Sequence, residues 1–245
     1  MSAMLRVLFA HNRYMVPGGE DVSTLSEVEM LRDAGHAVDL WETSNEAVAE
    51  IGQVRTGLRS IWSGEACREL DSRLEKTRYD ILHVQNHFPM LSPAIHRVAS
   101  RHDVATVQHL RNFRMMCVNA SFFRRGADCR QCSQSFMPWR GVLQRCYRDS
   151  ALASLAPMMM IGVHKAAGTW NRHVDAYIAI SNFVRDVHCE AGYPADRIFV
   201  RPCFVRPTDH VAPTGNRTAS IVAAARFSPE KGLDVLIQAW RRYGS

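Results

Sequence analysis

Four of the seven cysteines in this 245-residue chain fall in one stretch. Cys129 and Cys132 form a CxxC, with an outlying cysteine on each side, Cys117 separated from it by eleven residues and Cys146 by thirteen. Thiolates at such spacing suit a tetrahedral zinc ion, which would fold an insertion too small for a core of its own. The same thiols also read as buried packing without a ligand, or as redox chemistry. Cys67, Cys189 and Cys203 have no partner spacing and read as packing residues. An odd total argues against complete disulfide pairing.

Charge concentrates in the same region. Residues 101–148 hold nine Arg, no Lys and two Asp, while the whole chain carries a formal +6. Such a patch suits a polyanion, an anionic membrane surface or a phosphorylated small substrate, and its plain alternative is a solvated Arg-rich face. A third feature is Gly18–Gly19, which follows an apolar run. Without Cβ atoms, this backbone could approach a phosphate or sugar closely, and Glu20 beside it could accept a hydrogen bond from a hydroxyl. A glycine pair in a loop also serves simply as a turn.

The elements that must position these residues alternate regularly. Leu5–His11, Ala37–Trp41, Asp80–Gln85, Val104–Leu110, Asp175–Ile180 and Arg197–Val205 are short apolar runs that read as buried strands. Between them, Val22–Ala34, Pro93–Arg101, Ala151–Arg172 and Phe183–Ala191 read as helices, and residues 45–78 are helix-compatible. Strand and helix in this order predict an α/β fold, a doubly wound parallel sheet covered on both faces. Residues 112–150 interrupt the alternation as a Cys-rich insertion. Arg206–Thr218, with two Pro and one Gly, reads as a linker. One strand, Ser220–Ala225, and one helix follow it.

Several segments then converge on a resemblance. HNRYMVPGGEDV at 11–22, HVQNHFPMLSP at 83–93, RNFRMMC at 111–117, AISNFVRD at 179–186 and RFSPEKGLDVLIQAW at 226–240 resemble glycosyltransferase family 4 in order and spacing. The resemblance implies the GT-B architecture, two Rossmann-like domains facing across a cleft, and sugar transfer from a nucleotide donor with retention. It implies that Arg226 and Lys231 hold the donor diphosphate, stabilising leaving-group charge without a divalent metal. Gly18 and Gly19 match the loop that closes on the donor phosphates, and Glu20 falls on the acceptor side. Where the commoner family form has His before Asn, this chain has Arg111. Either Arg111 clamps a phosphate or sugar hydroxyl, or His109, two residues earlier on the same strand face, substitutes for it.

The expected organisation is a GT-B N-terminal, acceptor-side domain over 1–205, a linker over 206–218 and the truncated start of a donor-binding domain over 219–245. A chain so arranged is expected not to turn over nucleotide sugars alone. The expected partners are a nucleotide-sugar donor, a glycan or lipid-linked acceptor and an anionic membrane surface, with no nucleic acid. No cofactor is required for catalysis, and structural zinc is the one metal expected. No run reaches the roughly 18 apolar residues of a membrane span and the N-terminus lacks a signal-peptide pattern, so a cytoplasmic protein is expected, peripheral at the inner membrane face. Two other readings are a non-catalytic carbohydrate- or partner-binding half and, on the Arg–Cys–aromatic insertion, a zinc module for nucleic acid.

Overall fold

The apolar run beginning at Leu5 forms strand β1 (Arg6–Arg13), whose six central residues are buried, as a strand covered on both faces must be. The computed structural model describes residues 3–15, 18–205 and 220–243. After β1 come α1 (Gly19–Asp33), β2 (Ala37–Ser44), α2 (Ala47–Ile51), α3 (Gln53–Ile61), α4 (Gly64–Lys76), β3 (Ile81–Asn86), α5 (Ile95–Arg101) and β4 (Ala105–Leu110). The insertion contributes the strand pair β5 (Phe123–Arg124) and β6 (Ala127–Asp128), then α6 (Arg140–Leu143). Next are α7 (Ala151–Ala166), α8 (Thr169–Arg172), β7 (Ala176–Ala179), α9 (Asn182–Glu190), β8 (Ile198–Val200) and α10 (Leu233–Tyr243).

Two compact units result. The first runs to Ser121 and resumes over Arg130–Val205; the second combines Phe122–Cys129 with the segment from Arg206 onward. In the first unit six strands, all parallel, lie in the order β2-β1-β3-β4-β7-β8. This is a doubly wound, Rossmann-like α/β sheet. Alternation along β1 divides its core: Leu8 and Ala10 pack with Leu82, Val84, Trp41 and Leu70, whereas Val7 and Phe9 pack with Val28 and Val38.

Three local expectations are corrected. Apolar spacing in the expected helix Val22–Ala34 would turn Val22 and Leu25 inward, but they are 63% and 47% exposed. The inward face near its start is polar instead, burying Asp21, Ser23 and Thr24 ahead of Val28. β8 covers only three residues of Arg197–Val205 because its one partner among the described strands, β7, is itself four residues long. In the second unit, residues 220–225 form no strand. No described strand pairs with them, and unpaired backbone N–H and C=O groups stay in water. Beyond lie a single 3-10 turn, Pro229–Lys231, and α10, neither with a buried residue. The expected linker at 206–218 lies outside the described residues.

Candidate functional site

In a sheet of this order β1 has β2 on one side and β3 on the other, so the direction of winding reverses between β1 and β3. A ligand crevice opens at such a point, at the carboxyl ends of those strands. Its floor is polar. His11 Nε2 lies 2.8 Å from Asp21 Oδ1, both side chains being buried. Asp21 Oδ2 also accepts from the N–H of Gly18 at 2.7 Å, which satisfies a donor at the start of α1. From β3, Asn86 Nδ2 donates to the Asn12 carbonyl at 2.8 Å, and Asn12 Nδ2 donates to Asn45 Oδ1 at 2.8 Å.

Glu20 stands at this rim with one oxygen engaged. Tyr14 donates its hydroxyl to Glu20 Oε2 at 3.1 Å, and Glu20 Oε1 is buried without a hydrogen-bond partner. Burial pushes its carboxyl up to about 7, against the opposing pull of Arg111, Tyr14 and Arg114. It therefore changes charge near neutral pH. Gly18 and Gly19 lead into it. Gly18 is extended, with φ of −126°. A Cβ added at Gly18 would meet only Asp21 Oδ2, at 3.9 Å, and one at Gly19 would meet nothing within 4 Å. Among the described residues, no side chain crowds either glycine.

Beneath the rim, Arg111 and His109 converge on one carboxylate of α1. Arg111 Nη2 donates to Glu27 Oε1 at 2.7 Å, while His109 Nδ1 lies 3.5 Å from Glu27 Oε2 without hydrogen-bond alignment. Arg111 also donates from Nε to Gln85 Oε1 and from Nη1 to Ser23 Oγ, each at 3.0 Å. Gln85 Nε2 in turn donates to Glu27 Oε2 at 2.7 Å. Burial pushes the Glu27 carboxyl up, yet the approach of His109 and the charge of Arg111 hold it at about 2. Burial drives the His83 imidazole down to about 3, and lowers that of His109. At neutral pH the cluster therefore contains one anion, Glu27, and one cation, Arg111.

Arg226 and Lys231 belong to the second unit, where both are exposed and Arg226 Nη2 lies 4.0 Å from Glu230 Oε1. All seven cysteines are thiols. Cys117 and Cys132 are buried and Cys146 is half-buried within the first unit; Cys129, also half-buried, belongs to the second. Asp21, Glu27, His83 and Gln85 were not legible as site residues from apolar periodicity. Two signals point to the last three: Glu20, Thr24 and Glu27 recur at helical spacing, and His83 and Gln85 alternate along one strand face.

No protein family and no curated protein matches the chain by sequence. Among solved structures, it is similar to Anabaena Alr3699/HepE in complex with UDP and glucose, at 13% identity and a TM-score of 0.42, over 81% of this chain and 44% of that one. It is similar to UDP-N-acetylglucosamine 2-epimerase from Rickettsia bellii at 14% identity and 0.44, over 82% and 45%. A third likeness is the apo form of the lipopolysaccharide outer core galactosyltransferase WaaB, at 8% identity and 0.41, over 80% and 45%. The chain spans less than half the length of each.

Proposed function

We propose that the chain supplies the acceptor-side half of a retaining glycosyltransferase that uses a nucleotide-sugar donor. The observation that carries this reading is the Gly18–Gly19 pair. It stands at the N-terminus of α1 beside the switch point, where the described surroundings leave the backbone open to an approaching phosphate. In the proposed reaction an acceptor hydroxyl oxygen bonds to the anomeric carbon as the bond from that carbon to the diphosphate breaks. The electron pair leaves with the phosphate oxygen, and the acceptor's proton passes to that oxygen. Glu20 accepts a hydrogen bond from the acceptor hydroxyl and orients it. By the resemblance, Arg226 and Lys231 hold the diphosphate, and charge developing there is where fixed cations act most strongly. No divalent metal is needed for that step.

The acceptor is a glycan or lipid-linked glycan reached at an anionic membrane. Supporting this, Phe136, Trp139, Leu143 and Leu152 expose apolar side chains in the stretch that carries Arg140, Arg145 and Arg148. No described helix is long and apolar enough to cross a membrane. One observation favours a second reading, a binding half without catalysis: the guanidinium of Arg111 is engaged inside the protein and its side chain is only 6% exposed.

Calorimetric titration with UDP and UDP-glucose tests the proposal. Binding of both is expected. Failure of either to bind at millimolar concentration would overturn it, and binding of a glycan without binding of UDP or UDP-glucose would establish the second reading.

A further inference from the structure

Glu27, His83 and His109 come from three elements, α1, β3 and β4. Each places one potential ligand atom within 4.8 Å of the other two, and this is the one such grouping of three among the described residues. His83 and His109 are 6% and 4% exposed. Both ring nitrogens of His109 are buried without a hydrogen-bond partner. An unpaired buried polar group is destabilising, so a side chain left this way beside a carboxylate points to a ligand that completes it.

We infer that Glu27, His83 and His109 form a binding site for a divalent transition-metal ion of the zinc type. Two imidazoles and one carboxylate are a donor set of intermediate softness, suited to zinc and its neighbours and poorly suited to magnesium or calcium. A tetrahedral ion with bonds of about 2.1 Å holds its ligands roughly 3.4 Å apart. The three atoms therefore need to close by about 1.4 Å at most, within reach of small side-chain rotations.

The surroundings fit an ion. Glu27 Oε1 receives Arg111 while Oε2 faces His109, so the carboxylate stands between the guanidinium and the ion, each on its own oxygen. Gln85 Nε2, bonded to Glu27 Oε2, holds the carboxylate in orientation, as groups behind metal ligands do. Three protein ligands leave a fourth position for water. The consequence reaches the rim. Glu27 lies seven residues, about two turns, beyond Glu20 on α1, so an ion that ties α1 to β3 and β4 also fixes the helix end carrying Gly18, Gly19 and Glu20. This site shares no residue with the cysteine set and does not depend on the proposed transfer reaction.

The test is titration of the chelator-treated chain with Co2+ and with Zn2+. The expected result is one equivalent of Co2+ whose spectrum lacks thiolate charge transfer, with a raised Tm in Zn2+. Both should persist in a Cys129→Ser/Cys132→Ser variant and be lost in His109→Gln and in Glu27→Gln. In the wild-type chain, whatever the variants' folding, Zn2+ should shift the imidazole resonances of His83 and His109 and leave those of His102 and His188 in place. Unchanged His83 and His109 resonances at saturating Zn2+, or undiminished non-thiolate Co2+ binding in folded His109→Gln, would overturn the inference.

Discussion

Arg111 Nη2 and Glu27 Oε1 lie 2.7 Å apart although 84 residues separate them in sequence. The pair is nearly enclosed, with 6% and 12% of the two side chains exposed. Removing one member of such a pair strands the other's charge, whereas removing both does not. Glu27→Ala is expected to cost about 3–5 kcal/mol of folding stability, and Glu27→Ala combined with Arg111→Met should cost clearly less than the two single changes added. Urea denaturation of the four proteins provides the measurement. Simple additivity would mean that the ion pair has no energetic standing.

Acid should weaken the fold well before its carboxylates are all protonated. Burial holds the imidazoles of His83 and His87 at about 3 and those of His96, His164 and His188 at about 4, against an ordinary 6.5. Below 6.5 the unfolded chain takes up protons that the folded chain refuses, so each histidine's contribution is complete above 6.5 and is lost as pH falls toward its folded value. The slope is up to about 1.4 kcal/mol per pH unit per group. Glu20, raised from 4.5 to about 7, acts oppositely: its contribution is present below 4.5 and lost as pH rises to 7. Between 4.5 and 6.5, five histidines outweigh that one carboxyl, and below 4.5 the lowered Glu27 adds to the loss. The urea midpoint should fall steadily from pH 6.5 to 4.5. A midpoint constant over that interval would contradict the buried, neutral state of these rings.

The sheet strands and their alternation with helices were legible because β1, β3 and β4 are buried on both faces, and continuous apolar runs are the direct trace of that burial. The cluster beneath the rim was only half legible. His109 and Arg111 stood out by resemblance, and both approach Glu27. Glu27 itself was hidden because periodicity weighs apolar residues, and α1 turns Asp21, Ser23 and Thr24 inward while exposing Val22 and Leu25. A polar inward face is what a helix shows where it borders a site rather than a core. The expected strand at 220–225 failed for the converse reason: an apolar sequence supplies propensity, but a strand also needs a partner.

Membrane docking is expected to be electrostatic with an apolar component. Trp139, 54% exposed, has the guanidinium of Arg140 5.7 Å from its ring, and Leu143 is 70% exposed one turn on. Each cation near an anionic surface contributes about 1 kcal/mol. Vesicle co-sedimentation should require anionic lipid and weaken with salt, and Arg140→Ala/Arg145→Ala/Arg148→Ala should reduce binding by roughly two orders of magnitude on that figure. Equal binding to neutral vesicles would remove the electrostatic component. In contrast, Met160 and Ile161 of α7 are fully buried and take no part.

Two glycines separate a role in packing from a role in binding. A Cβ at Gly141 would lie 2.5 Å from Cγ2 and 2.7 Å from Cβ of Val118, whose branched side chain has little freedom to move away. Gly141→Ala should therefore destabilise the fold by about 1–3 kcal/mol. Gly19 is the opposite case: it opens α1, and a Cβ there meets nothing within 4 Å. Because alanine is the better helix former by up to about 1 kcal/mol, Gly19→Ala should leave the urea midpoint unchanged or slightly raised. If the backbone at Gly19 receives a phosphate, however, the same methyl group occupies the ligand's approach, and a bulkier one blocks it more. UDP affinity measured by calorimetry should fall from the wild-type chain to Gly19→Ala and again to Gly19→Val, while Gly141→Ala, assayed below its unfolding transition, keeps wild-type affinity. Undiminished UDP binding by Gly19→Val would show that no phosphate approaches this helix end, and would take away the observation on which the proposed function chiefly rests.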